Sequence, residues 1–163
     1  MISGNALALV FITLTITLAL RSIRLGLLSL VVNTLPLILT LGVWGLVVGR
    51  IGMASAIFTA TAFGIIVDDT IHFLSKYERA RREKKASAKE AVLYTCRTVA
   101  PPMITTSLML AVGFAIVATS SFLVNANLGL LTMLAVVFAL LCDLFLLPSL
   151  LIFISRNRGQ GLS

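Results

Sequence analysis

The stretch Met53-Ala-Ser-Ala-Ile-Phe-Thr-Ala-Thr-Ala-Phe-Gly64-Ile-Ile-Val-Asp68-Asp69-Thr-Ile-His72-Phe-Leu74 decides the fold class. It is apolar almost throughout, yet carries two adjacent carboxylates near one end. Crossing the hydrocarbon core of a bilayer takes about 20 helical residues. Four further runs are of that kind, and the predicted spans are residues 2–20, 25–48, 53–74, 102–122 and 128–154. The 163-residue chain is 59% hydrophobic and 12% charged. Soluble domains carry about 25% charged residues, so this chain belongs in a membrane. The runs are continuous rather than alternating, which selects helices over a barrel. The expected fold is an all-α bundle of five transmembrane helices forming a single domain over residues 1–163.

The net charge of +7 does not point to nucleic acid, because the basic residues fall in short segments between apolar runs. Arg21 and Arg24 separate the first two runs. Lys76, Arg79, Arg81, Arg82, Lys84, Lys85, Lys89 and Arg97 separate the third and fourth, and Arg156 and Arg158 follow the fifth. Arg50 stands on the opposite side. The positive-inside rule then places the N-terminus outside and the C-terminus in the cytoplasm. The first run has no basic flank before it and no small-residue cleavage site, so it reads as a retained span rather than a signal peptide. Cys96 and Cys142 form no framework and are expected to be unpaired.

Residues 75–101 form the predicted cytoplasmic loop. Ser87 and Glu90 have the spacing of a capping box. A short amphipathic helix lying on the membrane surface is expected after them, with Pro101 and Pro102 marking the turn into the next span. The outer connections are short, no extramembrane domain fits, and no repeat is visible. Pro36 and Pro148 are expected to kink their spans.

Asp68, Asp69 and Asp143 lie inside apolar runs. A mid-span aspartate costs about 2.5–3.5 kcal/mol on insertion scales, so these side chains should face the bundle interior or a wet cavity. At about 1.5 Å per residue, Asp68 and Thr105 both sit roughly 12 Å from the basic ends of their helices, and Asp143 roughly 19 Å. The aspartate pair and the cluster Thr105-Thr106-Ser107 can therefore meet at one level. Two adjacent carboxylates in a low dielectric resist being ionised together, and they titrate as a coupled unit. That suits a group that takes up a proton on one side and releases it on the other. His72, four residues after Asp68 on the same face, either anchors at the interface or passes protons to the cytoplasmic edge. Thr105, Thr106 and Ser107 are candidate relay hydroxyls that can equally bond their own helix or a neighbour. Asp143 is either a relay group or a structural partner for the hydroxyls. Gly64, in a stripe with Ala60 and Asp68, is expected to bring another helix close to the carboxylates, whereas Gly45 and Gly49 read as ordinary packing. Asp68 and His72 have metal-ligand spacing, but there is no second histidine and no zinc motif, so no metal site is expected. There is no phosphate-binding glycine loop and no nucleophile with an oriented base. Neither an enzyme nor a cofactor is expected.

The run Asn33-Thr34-Leu35-Pro36 with Gly42 and Gly45, and above all Gly64-Ile65-Ile66-Val67-Asp68-Asp69-Thr70-Ile71-His72, resembles the RND superfamily of permeases. So do Thr105-Thr106-Ser107 with Gly113-Phe114, and Asp143-Leu144-Phe145-Leu146-Leu147-Pro148. The nearest branch is the MMPL-like predicted exporters, which include hopanoid and other lipid carriers. The resemblance implies the C-terminal five-helix membrane bundle of a two-half transporter in a bacterial-type inner membrane. It further implies proton antiport through Asp68 and Asp69, with membrane lipids, the remaining half and extracytoplasmic domains as partners. Without those parts the chain reads as a fragment, a split subunit or a degenerate relative. Two other readings stand beside export: a lipid-sensing or regulatory membrane subunit, and an accessory subunit of protein secretion.

Overall fold

The computed structural model describes residue 14 and residues 22–48, 53–83 and 85–159. Leu14 is helical, but the rest of the predicted first span lies outside the described residues, as do Arg21, Arg50 and Lys84. Every described element is helical: α1 (Ile23–Val47), α2 (Met53–Glu83), α3 (Ala88–Ala118), α4 (Leu123–Leu141), a π turn (Cys142–Leu146) and α5 (Leu147–Gly159). Among the described residues, four stretches are long and apolar enough to cross a membrane: Leu25–Val47, Ile57–Glu83, Ala88–Ala118 and Leu123–Ser155. They correspond to the predicted spans from the second to the fifth. The last is formed by α4, the π turn and α5 together.

α4 makes the centre of the bundle, packing against α1, α2 and α3, and α2 in turn packs against α1 and α3. Two apolar clusters fill the interior. One holds Leu28, Val32, Phe73, Leu74, Met103, Leu147 and Leu151, and the other Leu37, Trp44, Phe58, Ile66, Leu131 and Ala135.

The predicted loop and surface helix are not what residues 75–101 form. α2 continues through Ser75 to Glu83, and α3 begins at Ala88 and runs through Pro101 and Pro102 without interruption. The capping box itself is present. The Glu90 amide donates to Ser87 Oγ at 3.3 Å, and the Ser87 amide donates to Glu90 Oε2 at 2.8 Å. It starts a helix that is also the membrane span. The prolines do not end that helix because they lie on its exposed side. The packed face, Ala91, Thr95, Val99, Met103 and Ser107, continues at helical spacing past them. Burial of that face outweighs the local preference for a break, and proline is tolerated in membrane helices where backbone groups are satisfied by other means.

α2 meets α3 through a tight connection. Lys85 is in the left-handed region (φ 49°), and Arg81 Nη1 donates to the Ala86 carbonyl at 2.9 Å. The end of α2 also carries the pairs Arg79–Glu83 and Glu78–Arg82 at i,i+4 spacing. Such exposed pairs contribute only about 0.3–0.5 kcal/mol each.

Small residues act at a position other than those expected. A Cβ on Gly129 of α4 would lie 2.6 Å from the Ala118 nitrogen and 2.8 Å from the Phe114 oxygen, so α3 and α4 touch backbone to backbone there. Gly42, Gly45 and Gly64 have nothing within 4 Å of that position. Gly64 thus brings no described helix close to the carboxylates.

Pro148 follows the π turn closely. Proline has no N–H and its ring crowds the carbonyl four residues earlier, here that of Leu144. The chain accommodates it by widening one turn, with the Leu147 amide donating to the Cys142 carbonyl five residues back.

Candidate functional site

The carboxylates occupy two neighbouring sites joined by α2. The first is an open cleft of about 530 Å³ lined by Gly64, Ile65, Asp68, Asp69 and His72 of α2 and Pro102, Met103, Thr106 and Leu110 of α3. Asp68 and His72 are exposed on its wall, one helical turn apart, and Asp69 is half-buried. Ser107 Oγ of α3 donates to Asp69 Oδ2 at 3.1 Å, which ties α3 to α2 at the level of the carboxylates.

The hydroxyl cluster divides according to helix rotation. Ser107 is buried and reaches Asp69, whereas Thr105 and Thr106 are exposed. Thr105 Oγ1 donates to the Pro101 carbonyl and Thr106 Oγ1 to the Pro102 carbonyl, each at 3.0 Å. Both therefore bond their own helix, in the four-residue back-bonding pattern of helical threonines. Thr106 still lines the cleft, and Thr105 is not among its lining residues. Gly64 also faces the cleft, and its missing side chain leaves open space there.

The second site is closed. Asp143, at the start of the π turn, is 1% exposed. Thr70 of α2 and Asn33 of α1 are likewise buried beside it. Thr70 Oγ1 lies 2.9 Å from Asp143 Oδ1 and 2.6 Å from Asn33 Oδ1, so the threonine bridges α1 to the π turn. Asp143 Oδ2 and Asn33 Nδ2 are buried without a partner. Asp69 and Thr70 are neighbours in α2, one at the cleft and the other at the closed site.

Asn33 and Thr70 are not among the residues expected to carry the relay, whereas Ser107 belongs to the hydroxyl cluster expected at the level of the aspartates. Thr70 follows the aspartate pair directly and is turned into the bundle, away from the cleft. A usable signal is the scarcity of polar groups: each of these is a hydrogen-bonding side chain inside an apolar run, where such groups need partners. Cys96 and Cys142 are both free thiols, as expected.

Among the described residues there is no group of three or more His, Cys, Asp or Glu side chains arranged to hold a metal ion. The groups on offer are carboxylates, hydroxyls and one imidazole inside an apolar bundle, side chains that can accept and donate hydrogen bonds.

No curated protein matches the chain. A family model does, and it extends over residues 1–160, which includes both carboxylate sites and every described helix. The chain is thus a multi-pass membrane protein that belongs to the MMPL family of RND-type transporters.

Proposed function

We propose that this bundle is the membrane part of a proton-driven RND-type exporter of hydrophobic or lipid-like compounds, and that it supplies the intramembrane proton relay. The observation that carries the reading is the placement of Asp68 and Asp69 together on the wall of an open cleft, beside His72 and Thr106. A carboxylate facing lipid costs about 2.5–3.5 kcal/mol, so this cleft is either wet or covered by another helical body. Both suit a transporter. Water gives protons access, and the remaining half of the permease is the natural cover. The side of α3 beyond the cleft is apolar and exposed, with Ile104, Leu108, Val112 and Ile116, and it provides the surface for such a partner or for lipid.

The geometry also suggests how a proton moves helices. Ionised Asp69 accepts a charge-assisted bond from Ser107, and such bonds are about twice as strong as neutral ones. Protonation weakens the tie between α2 and α3, and deprotonation restores it. His72 lies one turn nearer the basic end of α2, which the positive-inside rule assigns to the cytoplasm, and forms the exit step. Thr106 can orient water in the cleft. Thr105 contributes through its own helix.

The test is a proton-flux assay on the protein copurified with its partner and reconstituted in vesicles. Substrate-dependent proton flux is the expected result. Ligand binding that changes the partner's activity with no flux would replace export by lipid sensing or regulation.

A further inference from the structure

Thr70 of the closed site makes two contacts, and with an ionised Asp143 there are too few hydrogens for both. Thr70 Oγ1 has a single hydrogen. It lies at hydrogen-bond distance from two atoms, Asn33 Oδ1 at 2.6 Å and Asp143 Oδ1 at 2.9 Å, and an ionised Asp143 would make both of them acceptors. One bond would then lack a proton. Turning the Asn33 amide over would supply one, but 2.6 Å is shorter than N–H···O bonds and falls in the O–H···O range. The remaining arrangement satisfies both contacts. It would make Asp143 a carboxylic acid whose O–H donates to Thr70 Oγ1, while Thr70 donates its own hydrogen to Asn33 Oδ1.

Burial agrees with this. Asp143 is 1% exposed and its Oδ2 has no partner. An isolated buried carboxylate is far more costly than a buried acid. The principal elements against the π turn are α1 and α2, with α4 and α5 continuous with it. α1 presents the uncharged Asn33. α2 presents Thr70, with Asp69 next to it in the chain, and α3 contributes Ser107, which is held on Asp69. The turn's own titratable neighbour is Cys142. None of these is a cation that would hold Asp143 ionised.

The geometry points to a second proton site, Asp143, whose proton sets the direction of the hydrogen-bond chain Asn33–Thr70–Asp143 and thereby makes or breaks the polar link between α1 and α2. When Asp143 loses its proton, Thr70 turns its hydrogen to the carboxylate. Asn33 Oδ1 and Thr70 Oγ1 are then two acceptors at contact distance, and they repel. Either the Asn33 amide rotates to offer Nδ2 or α1 shifts away. The unpaired Nδ2 of Asn33 leaves that rotation open. This switch lies outside the Asp68–Asp69 cleft and holds whether or not the cleft drives transport.

Solid-state NMR of the protein in lipid bilayers, with labelled aspartate and asparagine, tests it. At neutral pH we expect a protonated carboxyl carbon that disappears in Asp143→Asn. As the pH is raised, the Asn33 side-chain amide signal should move in step with the Asp143 carboxyl. Thr70→Val should uncouple the two, and Thr70→Ser should preserve the coupling. In Asn33→Leu, which removes the acceptor for the Thr70 hydrogen, Asp143 should give up its proton about tenfold more readily, the effect of roughly one hydrogen bond. An Asp143 already ionised at neutral pH overturns the proposal. So does one that keeps its proton throughout the range in which the protein stays folded, or an Asn33 signal that ignores the titration.

Discussion

Replacing Asp68 and Asp69 together by asparagine is expected to abolish export by the complete assembly while leaving the protein inserted and folded. Asparagine has nearly the volume of aspartate, so the wall of the cleft keeps its shape. The amide oxygen that replaces the Asp69 carboxylate can still accept a bond from Ser107, which preserves the neutral form of the α2–α3 tie. What disappears is the capacity to bind and release a proton. Because the two groups are adjacent and act as a coupled unit, either single substitution leaves one carboxylate to carry part of the traffic. The double variant leaves none. Export should fall to the level of membranes lacking the protein, with unchanged abundance in the membrane fraction. Full export by the double variant would remove the relay from the account.

The second large effect concerns assembly. Gly129→Ala is expected to destabilise the bundle by about 2 kcal/mol or more, within the range seen when a packed contact is overfilled. The reason is the identity of the atoms in the way. The added methyl would meet backbone of Phe114, Val117 and Ala118 at 2.6–2.9 Å, and backbone cannot swing aside as a side-chain tip can. α3 would have to move off α4. Gly45→Ala, at a position with nothing within 4 Å, is the control and should be neutral or slightly stabilising. Reversible unfolding in lipid or detergent, followed side by side for the two variants, checks the difference. Equal stabilities would mean that the α3–α4 contact is not the close crossing described.

Much of the bundle was legible because the bilayer imposes strong rules. Length and apolarity marked out α1 and the α4–α5 span to within a few residues, and Ser87 with Glu90 marked the start of α3. Where the reading diverged, tertiary contacts overrode a local signal. Pro101 and Pro102 would end a helix in isolation. Here the packed stripe from Ala91 to Ser107 passes behind them and the helix continues. The π turn is a one-residue irregularity in an apolar run, and hydrophobic periodicity does not register it. Gly129 and Gly45 look alike in sequence, and only the neighbouring helix separates them.

The carboxylates of the site were legible for an energetic reason: charge in oil is costly, so each aspartate stood out. Their partners were not. One residue along a helix turns the side chain by about 100°, enough to send Ser107 to Asp69 while Thr105 and Thr106 face out. The level of the cluster followed from counting residues, but its rotation is set by the packing of α3 on α2 and α4. For the same reason Thr70, an ordinary polar residue in sequence, became the partner of both Asp143 and Asn33 only once three elements were assembled.

The most direct test of the central claim is an infrared titration of the aspartate pair in the protein in lipid, with signals assigned by their loss in Asp68→Asn and Asp69→Asn. The pair is expected to gain and lose a proton within the working pH range, and each single substitution to alter the titration of the remaining carboxyl. A pair that stays fully charged, or fully neutral, at every working pH would contradict it.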